Sequence, residues 1–210
     1  DIMEKQKFTK GVTPTGEALF AHVLKTEVFK SNGTEQDTGK FTIMVKLSKE
    51  AQKKLLKKID DEWEAFKETL GGKKLKYDYA NGLKEYKDED YFKFGMKEHF
   101  TLKSGETIHR TVPIFDCDNR EISKSLTGIG NGSKVRVAYE LAPFFMSDKN
   151  YGVSLRMSAI QIIDLVEYGG NSAAGFGFEE TEGYKQEDAD LPFTSSEDEN
   201  VEEPKPEDDF

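Results

Sequence analysis

KVRVAYELAPFFMSDKNYGVSLRMSAIQIIDLV, residues 134–166, reads as two long strands joined by a turn at "DKNYG". Val135, Val137, Tyr139 and Leu141 recur at every second position, so one face is apolar and the other carries Lys134 and Arg136. The second strand, "VSLRMSAIQIIDLVE", is strongly β-rich and closes the folded body. Strands of this length need further sheet against which to bury their apolar side.

That further sheet is legible upstream. Phe41, Ile43, Val45 and Leu47 alternate with Thr42, Met44 and Lys46 in "GKFTIMVKL", which the polar loop "KSNGTEQDTG" joins to a preceding strand, "GEALFAHVLKTEVF". In "DYFKFGMKEHFTLKSG" the alternation sets Phe92, Phe94, Met96 and Phe100 on one side, with Tyr91, Lys93, Lys97 and His99 on the other. Between these strands the period changes. Leu56, Ile59, Trp63, Phe66 and Leu70 step by three and four, giving one helical stripe with Ser48 as N-cap and Gly71-Gly72 as terminator. Trp63, the only tryptophan, is assigned to packing against the sheet. Residues 73–90 read as a loop or short hairpin with a turn at Asn81-Gly82. The expected architecture is an all-β barrel of five or more strands, with one helix inserted after the second and a disordered tail.

Charge separates body from tail. Residues 179–210 hold 14 acidic residues against two lysines, a net of −12, whereas the whole chain is −10, which leaves residues 1–178 at +2. The domain reading is a folded body over residues 1–170 and a disordered acidic tail over 171–210, too poor in aliphatic residues to build a core. A basic body with an acidic tail points to contact with nucleic acid or membrane. A single cysteine, Cys117, excludes an internal disulfide framework. The chain shows no secretory segment and no membrane-length apolar run, so a soluble, intracellular protein is expected, with Asp1-Ile2 an addition ahead of a natural start at Met3. Accordingly "NGT" at Asn32 and "NGS" at Asn131 are turns rather than glycosylation sites.

Chemical motifs are sparse. "GIGNGSK" has the glycines of a phosphate loop but leads into a strand, where a phosphate loop needs a helix N-terminus. "DCDNRE" lacks the glycine and terminal glutamate of a calcium loop and reads as a tight turn. His22, His99 and His109 stand on separate strands with no carboxylate or cysteine at a motif spacing. No catalytic residue, metal or cofactor is expected, and the chain is not read as an enzyme. What remains is a cationic sheet surface. Lys93, Lys97, Lys134, Arg136 and Arg156 can meet phosphates, and Tyr91 and Tyr151 beside them can stack on bases, the composition that sequence-independent binding of a single strand requires.

The tail repeats one phrase, "DADLPF" at 188–193 and "EEPKPEDDF" at 202–210. A phenylalanine in an acidic, solvated run has no core to enter, so a partner's pocket is the expected place for Phe193 and Phe210. Together with "GNGSKVRVAYELAPF" and "GVSLRMSAIQIIDLVEYGG", the ending "DDF" resembles the single-stranded DNA-binding proteins of short-tailed T-seven-type phages and their relatives in other tailed phages. The resemblance covers about Thr15 to Phe210. It implies an OB-fold five-stranded β-barrel with one long α-helix after the second strand, a homodimer, and residence in the cytoplasm of an infected bacterial host. It further implies coating of single-stranded DNA in replication, recombination and strand annealing, with tail contacts to the phage DNA polymerase and helicase-primase. By that likeness Phe210, with Asp208 and Asp209, is the partner-binding terminus. "DADLPF" resembles the terminal peptide of bacterial single-stranded DNA-binding proteins, although here it is internal. The competing reading is an acidic interaction protein that mimics DNA without binding it; the outward Lys and Arg rows favour the first.

Overall fold

Alternating apolar positions become twelve strands and one helix in the computed structural model, which describes residues 7–167 together with Phe178 and Thr181. In chain order these are β1 (Thr9–Val12), β2 (Gly16–His22), β3 (Val28–Ser31), β4 (Thr34–Asp37), β5 (Lys40–Lys46), α1 (Lys49–Glu68), β6 (Leu83–Tyr86), β7 (Glu89–Lys97), β8 (His99–Thr101), β9 (Thr107–His109), β10 (Ile114–Phe115), β11 (Lys134–Ser147) and β12 (Asn150–Asp164). The chain divides into two units, Asp1–Phe178 and Glu179–Phe210. Phe193, Asp208, Asp209 and Phe210 lie outside the described residues, as does the rest of the expected tail apart from Phe178 and Thr181.

Five strands close the barrel. β2 pairs antiparallel with β5, β5 with β7, and β11 with both β12 and β2, while β7 runs parallel to β12 at Gly95↔Arg156. The first barrel strand thus pairs with the second and fourth, and the third lies parallel to the fifth, which is the closure of an OB barrel. β1 extends the wall along β11, β6 along β7 and β10 along β12. Inside, Ile43, Val45, Phe92, Phe94, Val135, Val137 and Leu141 are buried, and the inward residues of the barrel strands meet in one core.

Helix α1 starts at Ser48, whose Oγ accepts from the Ala51 N–H at 3.2 Å and satisfies one of the free donors of the first turn. Its stripe keeps Ile59 and Trp63 of the sequence reading and differs at its start: Leu55 rather than Leu56 is buried with them, while Leu56, Phe66 and Leu70 flank them. It follows the fifth strand of the chain, which is the second of the barrel, because β1 and the hairpin β3–β4 add three strands ahead of β5. That hairpin replaces the expected loop at 30–39. Asn32 and Gly33 have φ of 50° and 77°, the type I′ geometry that closes a two-residue turn, and Lys30 bridges Glu35 across the strands at 2.7 Å. Phe100 is the other departure. The β5–β7 ladder ends at Lys40↔Lys97, so Phe100 falls on the separate hairpin β8–β9 and is 40% exposed rather than inward. Gly152 lets residues 79–81 cross β12 at close range, since a Cβ there would meet the Ala80 oxygen at 2.2 Å.

Candidate nucleic-acid interface

Alternation along β7 and β12 sets Lys93, Gly95, Lys97 and Arg156 on the outside of the barrel. Arg156 is the register partner of Gly95, which has no side chain, and Lys93 and Lys97 sit two residues either side of it, about 6.6 Å along the strand. Lys97 is in turn the partner of Lys40 on β5. Three exposed cations, Lys40, Lys97 and Arg156, therefore surround a patch of bare backbone. None of them forms an ion pair with a described carboxylate. The Arg156 guanidinium lies 4.8 Å from the Phe8 ring centroid, which steadies it over the wall.

Four further cations on the barrel are already engaged. Lys93 bridges Glu27 at 3.0 Å, Lys134 bridges Glu17 at 3.1 Å, and Lys46 approaches Glu89 at 3.9 Å. Arg136 donates from Nε to the Thr13 carbonyl at 3.3 Å. The structure thus brings Lys93, Lys97 and Arg156 together on β7–β12. Lys134 and Arg136 lie on β11, where Glu17 and Gln161 respectively are their register partners. A phosphate arriving at Lys93 or Lys134 has to displace a carboxylate, whereas at Lys97 it does not.

Both tyrosines are corrected as open stacking surfaces. Tyr91 shares the outward side with Lys93 but is only 7% exposed, and burial pushes its phenol above the ordinary range. Tyr151 is 3% exposed and belongs to the core beneath α1, stacked 5.5 Å from Trp63 and 6.1 Å from Phe145. Its hydroxyl accepts from the Tyr77 N–H at 2.8 Å and donates to the Tyr77 carbonyl. Exposed rings occur elsewhere: Phe29 on β3 at 60%, Phe100 on β8 at 40%, and Phe20 on β2 at 38%. Phe20 has φ of 49°, rare for a bulky residue, at a break in the β2–β5 register; Asn131 Oδ1 accepts its N–H at 2.9 Å and its ring meets Tyr86 edge-on at 5.0 Å. The glycine-rich loop holding Asn131 leads into β11, as its sequence indicated.

His99 and His109, register partners across the β8–β9 hairpin, both meet Glu98, with Nδ1–carboxylate distances of 3.0 and 2.7 Å. The hydrogen bond from His109 first, then that from His99, hold the Glu98 carboxyl below its usual range. A depressed carboxylate contributes stability above its unfolded pKa and loses that contribution as pH falls through the folded value. The contact is accordingly in place at neutral pH. Asp116 Oδ1 accepts from the Asp118 and Arg120 N–H groups at 2.9 Å each, closing the tight turn read at "DCDNRE".

No protein-family model and no curated protein sequence matches the chain. Solved structures do. The single-stranded DNA-binding protein gp2.5 of bacteriophage T7 superposes with a TM-score of 0.61 at 19% identity, over 86% of this chain and 100% of that one. The single-stranded DNA-binding protein of bacteriophage Enc34 gives 0.53 at 11% identity, over 77% and 85% of the two chains. This chain shares their fold. The Enc34 protein solved in complex with single-stranded DNA gives 0.51 at 11% identity, over 75% and 88%.

Because Glu27 neutralises Lys93, Glu27→Gln should tighten oligonucleotide binding by about two- to fivefold at low salt, the scale of one part-exposed ion pair. Fluorescence anisotropy titrations of both proteins measure this. The gain should fade with added salt, and equal affinities at every salt concentration would remove Lys93 from the interface.

Proposed function

We propose that the chain is a non-enzymatic phage single-stranded DNA-binding protein that coats its ligand without sequence preference. The observation that carries this is the group of exposed cations without an ion pair to a described carboxylate, Lys40, Lys97 and Arg156, around bare backbone at Gly95, on the barrel face where OB folds take oligonucleotides. Phosphates are the same in every nucleotide, so contacts to them hold the strand without reading it. The shared fold of two phage proteins with this ligand supports the reading, as does the +2 body.

The acidic tail regulates and recruits. Residues 179–210, at −12, compete with DNA for the cationic wall, because a tethered polyanion acts at about millimolar effective concentration. When DNA displaces it, Phe210 with Asp208 and Asp209, and Phe193 upstream, are hooks for the phage DNA polymerase and helicase-primase. Replication, recombination and strand annealing in the host cytoplasm are the processes served, by a homodimer. A pure DNA mimic would have no use for the exposed cations.

Salt titrations of the full chain and of a chain ending at Gly170 test both parts. Log affinity should fall with log salt at about −0.7 per phosphate contacted. The shortened chain should bind about tenfold more tightly at low salt, with the difference shrinking as salt rises, and should no longer capture the polymerase in a pull-down. Equal affinity of the two chains sinks the competition. A shortened chain that ignores unpaired oligonucleotides in dilute buffer sinks DNA binding itself.

A further inference from the structure

We infer that the hairpins β3–β4 and β8–β9 are two base-stacking fingers beside the cationic wall, with Phe29 and Phe100 as the rings that take unstacked bases of single-stranded DNA. The inference rests on the DNA-binding reading and adds where bases, rather than phosphates, are held.

Both hairpins leave the wall at the same place. The β5–β7 ladder ends at Lys40↔Lys97, and one further bond, Glu98 N–H to the Gly39 carbonyl at 2.9 Å, joins the two hairpin roots. The cations of the wall thus stand at the base of both fingers. Every residue of β3 and β4 is exposed, so Phe29 contributes nothing to the core. A two-stranded hairpin is marginal on its own, and an apolar ring in water does not improve it. Yet this hairpin is firmly rooted. Glu27 donates its N–H to the Lys40 carbonyl at 2.8 Å, and its own carbonyl accepts from the Thr38 N–H and hydroxyl at 2.9 and 2.7 Å.

The second finger is anchored as securely. Arg110 donates its N–H to the Glu98 carbonyl and its Nε to the Lys97 carbonyl at 2.9 Å, which leaves the guanidinium 5.2 Å from the Phe100 ring. A flat ring with a cation against it offers a base one surface and the adjoining phosphate another. Two stems rooted by backbone hydrogen bonds, each carrying an exposed ring and rising beside Lys40 and Lys97, suit a flexible polyanion with aromatic bases.

Anisotropy titrations of the full chain with an oligothymidine and with an abasic oligonucleotide of equal length separate rings from phosphates. The native chain should prefer oligothymidine by at least about tenfold. Phe29→Ala and Phe100→Ala should each reduce oligothymidine affinity about tenfold, while abasic affinity and the salt slope stay as they were. Phe29→Leu, which keeps an apolar side chain without a flat face, should lose nearly as much. Both positions are exposed, so melting temperatures should not move. Native oligothymidine affinity in both alanine variants overturns the fingers and leaves DNA binding standing. Failure of the native chain to bind either oligonucleotide overturns both.

Discussion

Lys97→Glu combined with Arg156→Glu should lower affinity for a single-stranded oligonucleotide by about 100-fold at low salt and make the salt slope shallower by about 1.4. The slope change is the stricter test, because two lost phosphate contacts remove about 0.7 each whatever the starting affinity. The size of the effect follows from position. Both side chains are exposed, neither forms an ion pair with a described carboxylate, and both border Gly95, where a sugar-phosphate chain can approach the strand backbone. Reversal replaces attraction with repulsion at the centre of the contact. Melting should stay close to native, as for other surface substitutions away from packed features. Lys134→Glu with Arg136→Glu is the matched comparison. These residues lie on β11 and already hold Glu17 and the Thr13 carbonyl, so their reversal should cost less than a tenth of that loss. If the two pairs behave alike, the cations act through general charge and the wall is not a site. Native affinity in the Lys97 and Arg156 variant moves the interface elsewhere.

The sequence carried the barrel further than the site. Period-two alternation identified β5, β7 and β11, β-rich composition identified β12, and the period change identified α1, because each depends only on neighbours along the chain. It also placed Lys93 and Lys97 outward. It could not say which outward residues other elements cover. Tyr91 lies on the same side as Lys93 and is nonetheless buried, with Lys46, Glu17, Glu89 and Tyr86 around it. Tyr151 disappears beneath α1, a helix far upstream in the chain. The pairing of Gly95 with Arg156 is a long-range parallel contact, and no local pattern reports register between strands so far apart. Phe29 was concealed for a different reason. "GEALFAHVLKTEVF" has no glycine or proline after Gly16 to mark where β2 ends and β3 begins, and the only sign of a hairpin was Asn32-Gly33, two residues that also fit a loop.

Tyr151 as a core residue leads to the largest expected loss of stability. Trp63→Ala should cost about 3–5 kcal/mol, the range for removing a buried aromatic ring, and lower the melting temperature by about 6–20 °C. Helix α1 has only three buried residues with which to hold the barrel, Leu55, Ile59 and Trp63. The indole is the largest of the three. It stacks on Tyr79 at 5.2 Å and 18°, and on Tyr151 at 5.5 Å and 15°, with Phe66 at 5.9 Å. Tyr79 is fixed in turn by Asp60, and burial first, then that hydrogen bond, push its phenol to about 12. Removing the indole leaves two tyrosine faces without a neighbour and a cavity that the hydrogen bonds of Tyr151 to Tyr77 prevent from collapsing. Tyr151→Phe should cost about 1 kcal/mol through those bonds alone. Neither change should alter oligonucleotide affinity at a temperature where the protein remains folded, because this cluster is apart from the wall residues. The single tryptophan makes the point measurable in the native chain as well: DNA binding should leave its emission nearly unchanged. Strong quenching on binding, together with lost affinity in folded Tyr151→Phe, would put the bases at α1 and return Tyr151 to the site.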